Sequence, residues 1–199
     1  MSLKLFAIRH AATSWNKEKR LQGRQDVGLS PEGLQSLKDK NIPSLFQQYH
    51  WYCSPLKRAR QTAENLGIQH YQIEPALIEM DWGTWEGQRL PDLRAQLGDK
   101  MRTAEAMGLD LQAPEGESPR QVQQRLLAWL ETLQEKEHAG IVCHKGVLRA
   151  LLSSALDWEM VNDCPVKINW SQGLLFSWNS NQGLKLVDYN ISLECSSDS

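Results

Sequence analysis

Short apolar runs that alternate with helix-like segments are the feature that most constrains how this chain can fold. Leu3–Ile8, His50–Cys53 and Ile141–Cys143 each have the length and content of a buried strand. Each then gives way to a turn and a helical pattern. Ser30-Pro31 marks a helix start, with serine as N-cap and proline at the first helical position, and Leu34 and Leu37 follow on one face. Pro43 should break or restart that helix before Leu45 and Phe46. A second helix should run from Ser54-Pro55 to about Leu66. Ser118-Pro119-Arg120-Gln121 is a capping-box-like start to a third, carrying Val122, Leu126, Leu127, Leu130 and Leu133 to about Lys136. Val147, Leu148, Leu151, Leu152 and Leu156 define a fourth. Tyr71–Leu77 has strand character, Leu174–Trp178 and Leu184–Tyr189 read as late strands, and the tail at 196–199 is expected to fray. Right-handed βαβ crossovers turn this alternation into an α/β three-layer sandwich with a mostly parallel central sheet.

Parallel strands place the loops that follow them at one sheet edge, where ligands bind in open α/β folds. Three such loops open on Arg9-His10, on Ser54-Pro55-Leu56-Lys57-Arg58 and on His144-Lys145-Gly146. Two histidines and two arginines are therefore expected to meet, and Glu79, after the Tyr71–Leu77 segment, should reach the same rim. Taken singly, each has an ordinary reading: a paired arginine, a hydrogen-bonded loop or core histidine, a surface glutamate. Taken together at converging strand ends, they point to a site.

The 199 residues, 41% hydrophobic and 23% charged, suit one globular unit over residues 1–199. A net charge of -2 without long basic runs argues against nucleic acid or an anionic membrane as partner, so any anion must be held locally. The start lacks a signal-peptide pattern and no apolar span approaches twenty residues, which makes a cytoplasmic location the expectation. Cys53, Cys143, Cys164 and Cys195 show no metal-ligand or disulfide spacing and read as reduced structural thiols. A homodimer stays open.

In order along the chain, Arg9-His10-x-x-Thr13 with Trp15-Asn16, Leu21-Gln22-Gly23 with Asp26, Leu29 and Gly33, Ser54-x-Leu56-x-Arg58-Ala59-x-Gln61-Thr62-Ala63, Glu79 with Trp85-Glu86-Gly87, Gly116-Glu117-Ser118 and Cys143-His144-x-Gly146 resemble the histidine phosphatase superfamily and its phosphoglycerate-mutase-like fold. Length and the Leu77–Gly87 segment look most like small bacterial members such as α-ribazole phosphatases and broad-specificity phosphomonoesterases. The resemblance implies metal- and cofactor-free chemistry on a small phosphorylated substrate, with Thr13, Asn16, Gln22 and Gly23 helping to bind it.

The chemistry suits those residues. Arg9 and Arg58 would neutralise the phosphate oxygens bidentately, and neutral His10 would attack in line to form a phosphohistidine. His144, protonated beside the phosphate, would stabilise spreading charge. Glu79 would protonate the leaving oxygen and then activate water. Trp82 and Trp85 are read first as packing, with Trp82 also a candidate pocket wall; the Lys145 amine either adds positive potential at the phosphate or reaches solvent. Ala11 stands where relatives carry glycine, a change that is mild unless the position needs positive φ.

Specificity is expected from a helical cap insertion at about 88–115, with one helix beginning at Leu90-Pro91-Asp92-Leu93-Arg94 and another over Asp99–Met107. The resemblance implies that a mutase carries adjacent arginines in a longer cap. None occurs here, which favours hydrolysis over a cofactor-dependent phosphoglycerate mutase. A catalytically weak phosphate-binding module is the third reading.

Overall fold

The structure, a computed structural model, describes residues 2–133 and 138–195. In chain order it contains β1 (Leu3–Arg9), α1 (Ser14–Lys17), α2 (Pro31–Leu37), β2 (Lys40–Asn41), β3 (His50–Cys53), α3 (Lys57–Asn65) and β4 (Gln72–Ile73). There follow α4 (Leu90–Leu97), α5 (Asp99–Ala106), α6 (Pro119–Thr132), β5 (Ala139–Cys143), α7 (Lys145–Leu156), β6 (Gly173–Asn179), β7 (Gly183–Ile191) and β8 (Glu194–Cys195). The main sheet has six strands in the order β4-β3-β5-β1-β6-β7, and β2 pairs with β8 apart from it. β4, β3, β5 and β1 run parallel, whereas β6 and β7 are antiparallel additions at one side.

Strand alternation makes the sheet two-faced. Leu3, Leu5 and Ala7 of β1 join a core with Val122, Leu126 and Leu130 of α6 and Val147, Leu148 and Leu151 of α7. Phe6 and Ile8 point the other way, into a core with Leu37 of α2 and Ala59 and Ala63 of α3. Helices thus cover both faces, giving the expected three layers. Burial of these leucines is the main stabilising term, since removing one fully buried leucine side chain costs about 2–5 kcal/mol. Cys53, Cys143 and Cys164 are free thiols.

Three local expectations are corrected. Only Gln72–Ile73 of the Tyr71–Leu77 segment is strand; Pro75, which has no N–H to give a ladder, opens a 3-10 turn over Pro75–Leu77, and the Glu74 side chain caps it at Ala76 N. The second helix begins at Lys57, since Leu56 is still extended. The third helix ends at Thr132, because Leu133 adopts an extended backbone; its expected end near 136 and the tail at 196–199 lie outside the described residues. A fourth correction concerns Pro43: the helix begun at Ser30-Pro31 already ends at Leu37, where Lys38 leaves the helical backbone, and Pro43 instead precedes a 3-10 turn at Ser44–Phe46. α4 and α5 fall within 88–115 and share a small core of Trp85, Leu93, Met101 and Ala113. No helix among the described residues is long and apolar enough to cross a membrane.

Candidate active site

Parallel pairing brings β3, β5 and β1 side by side, so the residues just past their C-terminal ends become neighbours. His10 N–H donates to Cys143 O at 2.9 Å and Ser54 N–H to Val142 O at 3.0 Å, which carries the ladder one residue beyond each strand. His10 and His144 end with ring centroids 5.1 Å apart.

The His10 tautomer follows from its partner. Nδ1 lies 2.7 Å from the Ala11 carbonyl, which can only accept, so Nδ1 carries the proton and Nε2 keeps its lone pair. Burial, then the charges of Arg58 and Arg9, hold the His10 pKa well below its ordinary value, and the imidazole is neutral. Ala11 N–H donates to Thr62 Oγ1 at 3.0 Å, and Ala11 is not in the left-handed region, so its methyl brings no backbone strain.

Arg58 is fully buried with every arm engaged. Its terminal nitrogens donate to Gln25 O and Gly23 O, both at 2.8 Å, and its Nε to His144 Nδ1 at 3.2 Å. Gly23 sits at φ +51°, and a Cβ there would lie 1.7 Å from Glu86 Oε1, so glycine is required. Since His144 Nδ1 accepts, its proton is on Nε2, 2.6 Å from the buried Ser54 hydroxyl. Burial and the neighbouring charge of Arg58 lower the His144 pKa well below its ordinary value. His144 is neutral as it stands, and the positive charge expected for it requires an anion to replace Arg58 at Nδ1. The Arg9 Nε is a buried donor without a partner among the described residues, a group that an anion would satisfy.

Glu79 follows the 3-10 turn rather than a strand, yet it reaches the rim. Its Oε1 accepts from Met80 N–H at 2.8 Å and its Oε2 from Gly146 N–H at 3.2 Å. These bonds and the two arginines favour the carboxylate, but burial outweighs them and raises its pKa. A Cβ on Gly146 would come within 2.3 Å of Glu79 Oε1, which explains a glycine in the first turn of α7.

These groups open into a cavity of about 710 Å³, whose wall includes Arg9, His10, Asn16, Gln22, Gly23, Arg58, Glu79, Trp82 and Lys145. Thr13 and His144 lie behind that wall. Thr13 caps α1, accepting Asn16 N–H at 3.2 Å while its own N–H donates to Asn16 Oδ1 at 2.9 Å, and its hydroxyl donates to Gln22 Oε1 at 2.9 Å. Trp82 stacks on Trp85 at 6.3 Å and faces the cavity, whereas Trp85 belongs to the α4–α5 core. From the expected cap come Leu90, Arg94, Met101, Glu105 and Leu111. Sequence reasoning missed Ser54 as the partner of His144, and Arg20 and Arg149 as cavity residues. Arg149 had a usable signal: it stands four residues after Lys145, one helical turn along the same face. Among the described residues, no group of three or more His, Cys, Asp or Glu is placed to hold a metal ion.

Comparison with known proteins places the chain in a family and a fold. Residues 5–170 match the family described as "Histidine phosphatase superfamily (branch 1)". Human 6-phosphofructo-2-kinase/fructose-2,6-bisphosphatase 4 is 30% identical over 160 residues, covering 77% of this chain and 33% of that protein, so this chain spans about a third of its length. The 2,3-bisphosphoglycerate-dependent phosphoglycerate mutase of Parvibaculum lavamentivorans is 29% identical over 166 residues, 74% of this chain and 77% of that protein. An Escherichia coli structure described as a candidate alpha-ribazole-5'-P phosphatase superposes with a TM-score of 0.75 at 21% identity, over 98% of this chain and 100% of that chain.

Proposed function

The chain belongs to the histidine phosphatase superfamily (branch 1), and from that premise we propose that it is a metal-independent phosphomonoester hydrolase working through a phosphohistidine on His10. One observation carries the reading. His10 is a buried, neutral imidazole whose Nδ1 proton is held by Ala11 O, leaving Nε2 as a nucleophile on the wall of a cavity shared with the Arg9 and Arg58 cations and with Glu79.

In the first step His10 Nε2 attacks phosphorus in line, the P–O bond to the leaving group breaks, and the Glu79 carboxyl gives its proton to the departing oxygen. Arg9 binds the equatorial oxygens, Arg58 adds its charge from behind, and Nδ1–H bonded to Ala11 O steadies the phosphorylated ring. Binding of the phosphate dianion draws Arg58 Nε away from His144 Nδ1 and is coupled to uptake of one proton there from solvent; the new Nδ1–H donates a hydrogen bond to the phosphoryl group while Nε2–H stays on Ser54, and the proton returns to solvent when free phosphate leaves. In the second step Glu79, now a carboxylate, removes a proton from water, the water oxygen attacks phosphorus, and the N–P bond breaks to return neutral His10 and free phosphate. Asn16, Gln22 and Gly23 line the substrate's path, Thr13 holds Gln22, and the stretch 88–115 acts as the cap of one unit spanning 1–199 in a cytoplasmic setting. The relatives include a mutase, and the trapped intermediate's fate separates the two activities: transfer to water for a hydrolase, to a second hydroxyl of the substrate for a mutase.

Turnover of p-nitrophenyl phosphate with and without a chelator, together with rapid quench of labelled substrate, tests the proposal. The expected result is chelator-insensitive turnover and an acid-labile, base-stable phosphoenzyme, both lost in His10→Ala. Near-parent activity in that variant would end the covalent mechanism, and loss of parent activity to the chelator would end metal independence. Binding of phosphate without any turnover would leave the phosphate-binding module.

A further inference from the structure

Arg9 and Arg58 stand on β1 and α3, and His10 and His144 one residue beyond β1 and β5. Glu79 instead lies in an irregular stretch between the 3-10 turns at Pro75–Leu77 and Gly83–Trp85. A side chain on such a stretch is only as fixed as the contacts that hold its backbone. Those contacts come from α6. Arg125 stands three residues after Val122 and four before Trp129, on the packed side of that helix, where a cation needs partners. One of its terminal nitrogens donates to Ala76 O and the other to Ile78 O at 2.6 Å, so the guanidinium spans the residues that lead into Glu79. Glu117 holds the same guanidinium from another edge, at 3.1 Å from Nε and 3.3 Å from a terminal nitrogen. It also ties down the far side of Glu79: Glu117 N–H donates to Asp81 O at 2.8 Å, and Asp81 N–H to Glu117 Oε2 at 3.2 Å. The two backbones come this close because residue 116 has no side chain, a Cβ on Gly116 lying 2.6 Å from Asp81 O. Arg24 completes the network, 3.3 Å from Glu117 and 3.2 Å from Asp81.

Ala76, Ile78 and Asp81 are thus tied to α6 and its approach, with Glu79 inside the span. We propose that Arg125, held flat by Glu117, is the positioning residue of Glu79: through the Ala76 and Ile78 carbonyls it fixes where the carboxyl meets the leaving oxygen and the attacking water, without touching either. Two carbonyls and a carboxylate need donors fanned in one plane, which a guanidinium has and an ammonium lacks. The charge of Arg125 is also felt at His144, so position and charge have to be told apart. The inference rests on the reading of Glu79 as acid and base.

The test is the ratio of kcat/KM for butyl phosphate, whose leaving oxygen needs a proton, to kcat/KM for p-nitrophenyl phosphate, whose leaving group needs little help. Loss of folded enzyme lowers both values alike and leaves the ratio unmoved. Arg125→Gln should lower the ratio by about tenfold or more while p-nitrophenyl phosphate stays within about threefold of the parent. Arg125→Lys, which keeps the charge and loses the fork, should lower it by about fivefold or more. In a Glu79→Gln background, where there is no acid left to position, adding Arg125→Gln should change the ratio by less than about twofold. A ratio unchanged in Arg125→Gln, a ratio restored to the parent value by Arg125→Lys, or an undiminished further loss in the Glu79→Gln background would overturn the positioning role. Should Arg125→Gln fail to fold, Glu117→Gln decides, since it keeps an acceptor for Asp81 N–H and gives up the ion pair: a ratio lowered about threefold or more supports the role, and an unchanged one overturns it. Glu79→Gln alone separates the two readings. If it leaves the ratio unchanged, the acid role of Glu79 has failed and takes this inference with it; if it lowers the ratio and Arg125→Gln does not, only the positioning has failed.

Discussion

Arg58 shows how much of a residue's work is hidden from its motif. The family resemblance and its place after β3 suggest a phosphate ligand, yet the structure has it fully buried, with three donors on Gly23 O, Gln25 O and His144 Nδ1. A lysine ammonium cannot span three acceptors set in a plane. Arg58→Lys should therefore lower kcat/KM by about a hundredfold or more and also lower the melting temperature, read by steady-state kinetics and thermal unfolding. A kinetic loss under about threefold would remove Arg58 from the phosphate site. Glu79→Gln tests the acid and base separately. Alkyl phosphates, which need a protonated leaving oxygen, should slow far more than p-nitrophenyl phosphate; with the latter, loss of the base should give a burst of nitrophenol followed by slow turnover. Equal losses without a burst would leave Glu79 structural. The five residues proposed for the chemistry were legible because strand ends and residue types are local signals. The partners that set the histidine tautomers were not: Ser54 Oγ meets His144 across 90 residues of chain, which leaves no local pattern, and the turn of His10 back onto its neighbour's carbonyl is a conformation that residue types do not encode.

Helix starts were the most legible elements because a cap is a chemical device within four residues. Ser30 accepts Gly33 N–H, and Ser118 with Gln121 forms a reciprocal capping box, as their sequences imply. The Tyr71–Leu77 segment misled for the opposite reason: aromatic and β-branched content fits a strand, but only a partner can complete one, and Pro75 denies it. α2 carries a further constraint that propensity reads with the wrong sign. Replacing a helical glycine by alanine ordinarily stabilises by up to about 1 kcal/mol. A Cβ on Gly33, however, would meet Ala12 O at 2.0 Å, and that carbonyl already accepts Ser30 N–H at 2.9 Å. Gly33→Ala should thus destabilise by about 1–3 kcal/mol, seen in the urea midpoint, and should reduce turnover by moving the loop that holds Ala11 O against His10. A variant more stable than the parent would show that α2 does not brace that loop.

Across the whole molecule, the site's protonation states are linked to folding. His10 and His144 have pKa values depressed in the folded protein, so below the unfolded value of about 6.5 the unfolded chain binds two protons that the native state refuses. Stability from these residues is present above that pH and lost as pH falls. Glu79 has the opposite sign: its raised pKa means that the native state holds a proton the unfolded chain has lost, so its contribution is lost as pH rises through the folded value and partly offsets the histidines on the way down. The depressed carboxylates Glu32 and Asp110 act at lower pH, below this window. Between about pH 7.5 and 5.5 each histidine contributes a loss of about 1.4 kcal/mol, giving a net fall of about 1–3 kcal/mol once Glu79 is included. Urea unfolding at the two pH values, in a buffer free of phosphate, should show that fall in the parent. In His10→Gln, which keeps a polar side chain but binds no proton in either state, the fall should shrink by about 1.4 kcal/mol. An equal fall in parent and variant would mean that His10 titrates alike folded and unfolded. The imidazole would then not be held neutral by its burial and its two arginines, and the nucleophile would lose the property on which the proposed chemistry depends.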